Sequence, residues 1–374
     1  MFRILHVIST MNIGGAETLI FNLYQKLDRT RIQFDFLLNS CGTFYESKLR
    51  DMGANIYYIP PRNKLRLKYM AELNKFFKAH QNEFFAIHQH ASSLSSIEPL
   101  IAARKNGINK RIIHIHNTNA SNMAHVIMHR LNKFTIGNIA TDFLSCSDKA
   151  TQWAFSSLST QRQVLKINNG IDTDIFRFSP TIRNTVRKQL KLEDNQLTLL
   201  HVGRFMPVKN HCFLIHIMAE LVKKIPNAKL LLVGDGETRG EIEQLTNKLN
   251  LSDNVVFLGL RLDVNELLMA ADFFIMPSLH EGLPVSLVEA QSSGIRVLCS
   301  DNISKDVILS DTIEFLSIQQ NPLIWANKIL DSIKLINQRK DCSAQITSKG
   351  FSIQASLDLL IKDVYKIKPV DNYE

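Results

Sequence analysis

Leu199 to Asn210 reads L-L-H-V-G-R-F-M-P-V-K-N. A short apolar strand runs into Gly203, and two cations five residues apart, Arg204 and Lys209, precede a helical run from His211. Glycine lets the backbone approach a ligand closely, Arg can fork two phosphate oxygens, and Lys adds a mobile point charge. The segment therefore predicts a grip on a diphosphate. Downstream, Lys229 to Val233 runs into Gly234-Asp235-Gly236, and Asn254 to Leu258 and Phe273 to Met276 read as further strands. Helical periodicity follows each of them. This β-α-β-α alternation predicts an α/β fold with a doubly wound parallel sheet and ligands at the strand carboxyl ends.

Glu281 to Glu289 reads E-G-L-P-V-S-L-V-E, two carboxylates eight apart. Pro284 suits the first turn of a helix that Ser292-Ser293-Gly294 ends. Glu281 then lies in the loop before the helix, and Glu289 one to two turns inside it. Backbone N–H groups between them, from Gly282 and Leu283, face the cleft as an anion site. A phosphate-friendly helix end flanked by two hydroxyl-accepting carboxylates suits a sugar nucleotide. A solvated strand-to-helix junction is the plain alternative on spacing alone.

Five segments in order, G-R-F-x-x-V-K-N, L-L-V-G-D-G, V-F-L-G, M-P-S-L-x-E-G-L-P-x-x-L-V-E-A and the N-terminal I-L-H-V-I-S-T-M-N-I-G-G-A-E-T, widen the reading. Together with R-I-I-H-I-H-N-T at Arg111 to Thr118 and N-N-G-I-D-T-D-I-F at Asn168 to Phe176, they resemble glycosyltransferase family 4. The likeness covers nearly the whole chain and is greatest to the bacterial exopolysaccharide and capsule branch. It implies a GT-B fold, two Rossmann-like doubly wound domains facing across a cleft that closes on the donor. It also implies a retaining, metal-independent hexosyltransferase. The donor would be a UDP-linked sugar, and the acceptor a glycan or lipid-linked oligosaccharide of exopolysaccharide, capsule, O-antigen or lipopolysaccharide synthesis. Arg204 and Lys209 would neutralise the leaving diphosphate, Glu289 would accept from the ribose, and Glu281 from the donor sugar. No cofactor is implied. A sugar-nucleotide epimerase of the same fold and a non-catalytic assembly subunit are the rival readings.

Two N-terminal segments are further candidates. Gly14-Gly15 follows a strand and opens a helix, a geometry that admits a phosphate. In the family that loop lies against the donor phosphate or the acceptor. His114 and His116 share one face of a strand. The resemblance gives His116 a contact to the donor sugar, while His114 reads as a satisfied core histidine. His88 and His90 form a similar pair, an acceptor-side candidate. No carboxylate or cysteine stands at ligand spacing from these histidines, so no metal site is expected. Asp172-Thr173-Asp174 reads as linker capping rather than a metal-holding D-x-D pair. Gly234 to Gly240 has the wrong glycine spacing for a dinucleotide fingerprint. Ser300-Asp301-Asn302-Ile303 stands where many relatives carry a glycine-rich loop.

Residues 1–180 hold 22 Lys and Arg against 12 Asp and Glu, a net of +10, and residues 181–374 hold 22 against 23, a net of −1. The basic half includes Lys64, Arg66, Lys68, Lys75 and Lys78 around Leu67, Met70, Leu73 and Phe76, and then Arg104, Lys105, Lys110 and Arg111. A helix of that kind can lie on an anionic membrane surface. No aromatic-basic interleaving points to nucleic acid. Cys41, Cys146, Cys212, Cys299 and Cys342 are scattered, as in a reducing cytoplasm. Met1 to Ser9 reads as a strand rather than a signal peptide, and no apolar run spans a bilayer. The enzyme is expected in the cytoplasm, with the basic face either solvated or lying peripherally on the inner face of the plasma membrane. The domains are expected at 1–180 and 181–350, the crossing falling between 176 and 196. A final helix, within 351–374, should return to the first domain.

Overall fold

The computed structural model describes residues 1–62, 66–118, 122–158, 161–335 and 339–368. Lys64 of the basic run and the end of the chain from 369 lie outside the described residues. The chain forms two compact units. One is Met1–Gly170 with the chain from Ile353 onward, and the other is Ile171–Ser352.

The first unit holds a parallel sheet of seven strands: β1 (Phe2–Val7), β2 (Ile32–Leu38), β3 (Ile56–Tyr58), β4 (Ala86–Ala91), β5 (Lys110–Ile115), β6 (Asp142–Ser145) and β7 (Val164–Lys166). Their spatial order is β3-β2-β1-β4-β5-β6-β7. The second unit holds six parallel strands: β8 (Thr198–Val202), β9 (Lys229–Val233), β10 (Val255–Gly259), β11 (Phe273–Met276), β12 (Arg296–Ser300) and β13 (Ile313–Leu316). These run β10-β9-β8-β11-β12-β13. Each sheet is doubly wound, and its order reverses between β1 and β4 or between β8 and β11. Ligands of such sheets bind outside the strand carboxyl ends at that reversal.

Strands buried on both faces tolerate polar residues only when these are satisfied. In β2, Gln33 donates to the Tyr24 hydroxyl at 2.7 Å and to Gly53 O at 2.9 Å. Asp35 pairs with Arg3 at 2.7 Å and accepts from Asn55 N at 3.0 Å. Leu357, Leu360, Val364 and Tyr365, from the helix Ile353–Leu359 and the turns after it, join the first unit's core with Ile20 and Tyr24 of the helix Gly15–Lys26.

The change of unit falls at Gly170–Ile171, upstream of the expected 176–196 window and the 180/181 boundary. Ile171 N donates to Phe351 O at 2.8 Å, and Ile171 and Phe176 pack in the second unit's core. The turn at Asn168-Asn169-Gly170 already ends the first unit, so the polar run after it is not the linker. The basic helix Arg66–Ala79 also differs from expectation. Leu73 is fully buried, and Met70 and Phe76 pack against the first unit's core, leaving Leu67 as the outward apolar residue of the four.

Asp272 ties the start of β8 to that of β11. Its N–H donates to Thr198 O at 2.7 Å, and its carboxylate accepts from Thr198 N at 2.8 Å and Arg183 Nη2 at 2.6 Å. Arg187, 2% exposed, stands 3.8 Å from the same carboxylate and donates to Ala270 O and Gln196 O. Arg339 donates to Leu268 O and Ala271 O beside them, and burial lowers its guanidinium to about 9. One carboxylate thus balances several enclosed cations. Asp272→Ala is expected to cost about 3–5 kcal/mol, because it leaves buried charge unpaired. Urea unfolding of the two proteins measures it, and a loss below about 1 kcal/mol would show that the cluster is solvated.

Candidate functional site

The carboxyl ends of β8 and β11 gather four of the expected residues. After Gly203 the chain passes through the turn Pro207–Lys209 into the helix His211–Val222. Asn210 between them is left-handed, with φ 57° and ψ 44°, and its Nδ2 donates to Pro277 O at 3.1 Å. Leu279 N donates to Val208 O at 2.8 Å. These two bonds clamp the loop after β8 to the loop after β11. Across the clamp, Lys209 Nζ lies 2.7 Å from Glu281 Oε1, with the side chains 14% and 18% exposed. A Cβ on Gly203 would come within 3.3 Å of Lys209 Cδ, so the glycine gives the lysine stem its path.

Lys209 is therefore an ion-paired cation, not the free one that sequence spacing implies. Arg204 is exposed and takes no hydrogen bond or ion pair among the described residues. Glu281 O accepts from Ser304 N at 3.2 Å, which ties the plain Ser300–Ile303 segment to the site. Gly282 is exposed and Leu283 half-buried. The helix is Val285–Ser292, so Pro284 caps it instead of standing in its first turn. Glu289 lies in the second turn, and burial raises its carboxyl to about 7. His201, enclosed behind Gly203, is held neutral by burial, and its Nδ1 donates to Ile275 O at 2.7 Å. Below it, Gly234 and Gly236 have φ of 136° and 157°. A Cβ at either would overlap the carbonyl of Gly203 or Phe205, so these glycines serve the packing of one loop on the other.

In the first unit, Gly14 caps the helix Gly15–Lys26, but the place expected for a phosphate is taken. The Glu17 carboxylate folds over Gly14, where any Cβ would overlap it, and burial raises its pKa. Sequence reading missed Glu17 because an acidic residue in a first helical turn is commonplace. The Asp174 carboxylate of the Asp172-Thr173-Asp174 segment faces Arg177 at 3.7 Å.

Five histidines, from β1, β4, β5 and the residue just after β5, collect on one face of the first sheet. His6 Nδ1 lies 2.9 Å from His90 Nε2, and His90 Nδ1 lies 2.8 Å from His116 Nε2. His88 stacks on His90 with ring centres 4.3 Å apart, and His114 on His116 at 3.9 Å. His88 Nδ1 meets the Tyr365 hydroxyl at 2.9 Å. Burial lowers all five pKa values, those of His6 and His116 to about 3. His114 is not the satisfied core histidine expected, since both its ring nitrogens are buried without a hydrogen-bond partner. His6 was missed because a single histidine in an apolar strand carries no spacing signal.

Two triplets, His6-His88-His90 and His90-His114-His116, bring three ring nitrogens within 4.8 Å of one another. The rings do not fit a metal as they stand. Tetrahedral ligands about 2.0–2.1 Å from zinc sit roughly 3.3 Å apart, whereas the in-line pairs are at hydrogen-bond distance. Stacked rings also direct their lone pairs side by side rather than toward one point.

Comparisons with known proteins accord with this architecture. Residues 182–349 match the family model described as glycosyl transferases group 1. EpsF of Bacillus subtilis (strain 168) is 32% identical over 98% of this chain and 96% of its own length. The UDP-Gal:alpha-D-GlcNAc-diphosphoundecaprenol alpha-1,3-galactosyltransferase of Escherichia coli is 24% identical over 97% and 96%. Among solved structures, Anabaena HepE in complex with UDP-glucose superposes with a TM-score of 0.78 at 19% identity, covering 98% of this chain and all of that one. This protein belongs to the group 1 glycosyltransferases, and is a hexosyltransferase-type enzyme built on the GT-B fold.

Proposed function

We propose that the protein is a retaining family 4 enzyme that transfers a hexosyl group from a UDP-linked donor to a lipid-linked glycan. The observation that carries the reading is the Lys209–Glu281 pair, held at the β8/β11 reversal beside the exposed Arg204. The donor and acceptor classes are supported by the Escherichia coli relative, whose name states a UDP-galactose donor and a diphosphoundecaprenol-linked acceptor. The product would enter an exopolysaccharide, capsule or O-antigen pathway.

In this mechanism the anomeric carbon–oxygen bond breaks first, and its electron pair leaves with the diphosphate. Arg204 and Lys209 balance that growing charge, which concentrates their effect in the transition state. The acceptor hydroxyl attacks from the leaving-group side, and its proton passes to the departing phosphate oxygen. Glu281 keeps Lys209 aimed and accepts from donor-sugar hydroxyls. Glu289 accepts from the ribose, Gly282 and Leu283 offer backbone N–H groups, and His116 contacts the sugar. No metal is assigned a role, because the two cations supply the charge. Gly14 and Gly15 would meet a phosphate only after Glu17 swings aside.

Membrane contact is better placed on the helix Met123–Ile139 than on the helix Arg66–Ala79. Met123, Ile127, Leu131 and Phe134 are 73, 53, 57 and 77% exposed, at the spacing of one helix face. Arg130 and Lys133 stand among them, and Lys133 and Lys149 line an adjacent hollow with Trp153. An apolar stripe rimmed by cations suits the surface of an anionic leaflet. No described helix is long and apolar enough to cross a membrane.

Arg204→Ala is expected to lower kcat by about 10²–10³ with thermal unfolding unchanged, the scale of losing one charge-stabilising donor. Turnover within about threefold of wild type would remove Arg204 from the diphosphate site. Donor affinity should weaken as pH falls through about 7, when Glu289 gains a proton and loses acceptor capacity. The ligand-free protein should run the other way. A carboxyl raised in the folded state binds its proton more tightly there, so stability declines as pH climbs from about 4.5 toward 7. Glu289→Gln should flatten both profiles in calorimetric titrations, and a persisting slope would assign them to another group. Wild type should co-sediment with phosphatidylglycerol vesicles but not phosphatidylcholine vesicles. Leu131→Glu combined with Phe134→Glu should stay in the supernatant, and unchanged binding by that double variant would place the contact elsewhere.

A further inference from the structure

We propose that His6, His90 and His116 form one hydrogen-bonded tautomeric chain, each ring protonated at Nδ1, which fixes His116 as a hydrogen-bond donor at the end nearer the surface. Use of that donor by a sugar hydroxyl rests on the function proposed above, while the chain itself does not.

The geometry couples the three rings. A neutral imidazole carries one N–H and one lone pair, and each link here joins the Nδ1 of one ring to the Nε2 of the next. A proton placed on one ring therefore decides the placement on all three. The rings lie end to end, with centres 5.1 Å apart at both links and planes inclined by 12° and 29°. That is the arrangement of in-plane hydrogen bonds rather than of stacked faces. Burial keeps the rings neutral, so each link has one proton to place.

Only two senses are available. With every Nε2 protonated, the chain would end in an N–H at His6 Nε2, which is buried without a partner beside Phe34 and Phe36. With every Nδ1 protonated, the deep end keeps only a lone pair, and the N–H falls at His116 Nδ1, which is also buried and unpartnered. Either sense leaves one buried N–H to be satisfied, and only at His116, the one part-exposed ring of the three, can a small side-chain movement bring it to a ligand or to water, whereas His6 is enclosed by Phe34 and Phe36. The second sense therefore prevails. Neither His6 nor His90 touches substrate in this scheme. They are positioning residues, and His88 and His114 restrain them by stacking on His90 and His116.

Long-range 1H–15N correlation on protein labelled only at histidine reads the tautomers directly, in the unmodified enzyme. Nδ1 protonation of His6, His90 and His116 is the expected result. In His90→Phe, His116 should lose its fixed Nδ1–H signature, and the Kd for UDP-glucose should weaken about tenfold, as for a lost hydrogen bond. Nε2 protonation of His116 in wild type, opposite senses within the chain, or an unchanged His116 in His90→Phe would each overturn the proposal. So would one equivalent of zinc bound to wild-type protein with metal-shifted histidine nitrogens. If the tautomers are as stated but UDP-glucose leaves the His116 ring unmoved, the chain is supported and the sugar contact is wrong.

Discussion

The pairing of β8 with β11 is the constraint on which the second unit depends, and Asp272 enforces it. These strands are not consecutive in sequence, and their ladder joins Phe273 with Leu199 and Phe274 with Leu200. A one-residue slip would turn every side chain of β11 to the wrong face. Asp272 forbids the slip by bonding both the N–H and the C=O of Thr198. With the register fixed, the two strands end side by side and their loops meet. The Asn210–Pro277 and Leu279–Val208 bonds complete the join. Lys209 and Glu281, far apart in sequence, become an ion pair as a consequence of strand order.

The first unit answers to a different constraint, the cost of placing ionisable rings away from water. Five imidazoles on one sheet face would be intolerable as cations, and burial keeps them neutral. Neutral imidazoles can bond to one another, as cations cannot, because each has both a donor and an acceptor. Tyr365, carried in from the chain's far end, supplies another partner through its hydroxyl. Packing the C-terminal helices on the sheet therefore also gives His88 a hydrogen-bond partner.

The parallel, doubly wound sheets were legible because apolar strands of four to six residues alternate with helical periodicity, as at Lys229 to Val233 and Phe273 to Met276. The position of Lys209 and Glu281 after strand carboxyl ends was legible, since glycine, cation and carboxylate follow apolar strands. Their direct pairing was not, because it depends on which strands adjoin. The unit boundary was misplaced because Ile171 and Phe176 look like linker residues until their packing partners around Phe351 are known. The histidine network was illegible for a similar reason. His6, His88 and His114 lie far apart in sequence, and only the register His6 with His88 and His90 with His114 aligns them. Leu73 was assigned outward because helical spacing shows that a face exists but not which neighbour covers it.

Net charge is a poor guide to where this enzyme places its chemical charge. The half-chain with a net of +10 has a neutral histidine interior, and its excess cations lie on outer helices and strand ends. The half-chain with a net of −1 holds Arg204 and Lys209. A diphosphate leaving group needs positive charge within a few ångströms, where the interaction is strong, and a distant basic surface is screened over about 8 Å in physiological salt. The two distributions therefore answer separate demands. In the proposed function the outer cations would favour encounter with anionic surfaces, while the Lys209–Glu281 pair keeps one cation in place without committing the whole unit to a positive field. In the proposed mechanism Glu281 already offsets Lys209, so the added negative charge of a diphosphate would draw most on Arg204, the cation that no described carboxylate holds.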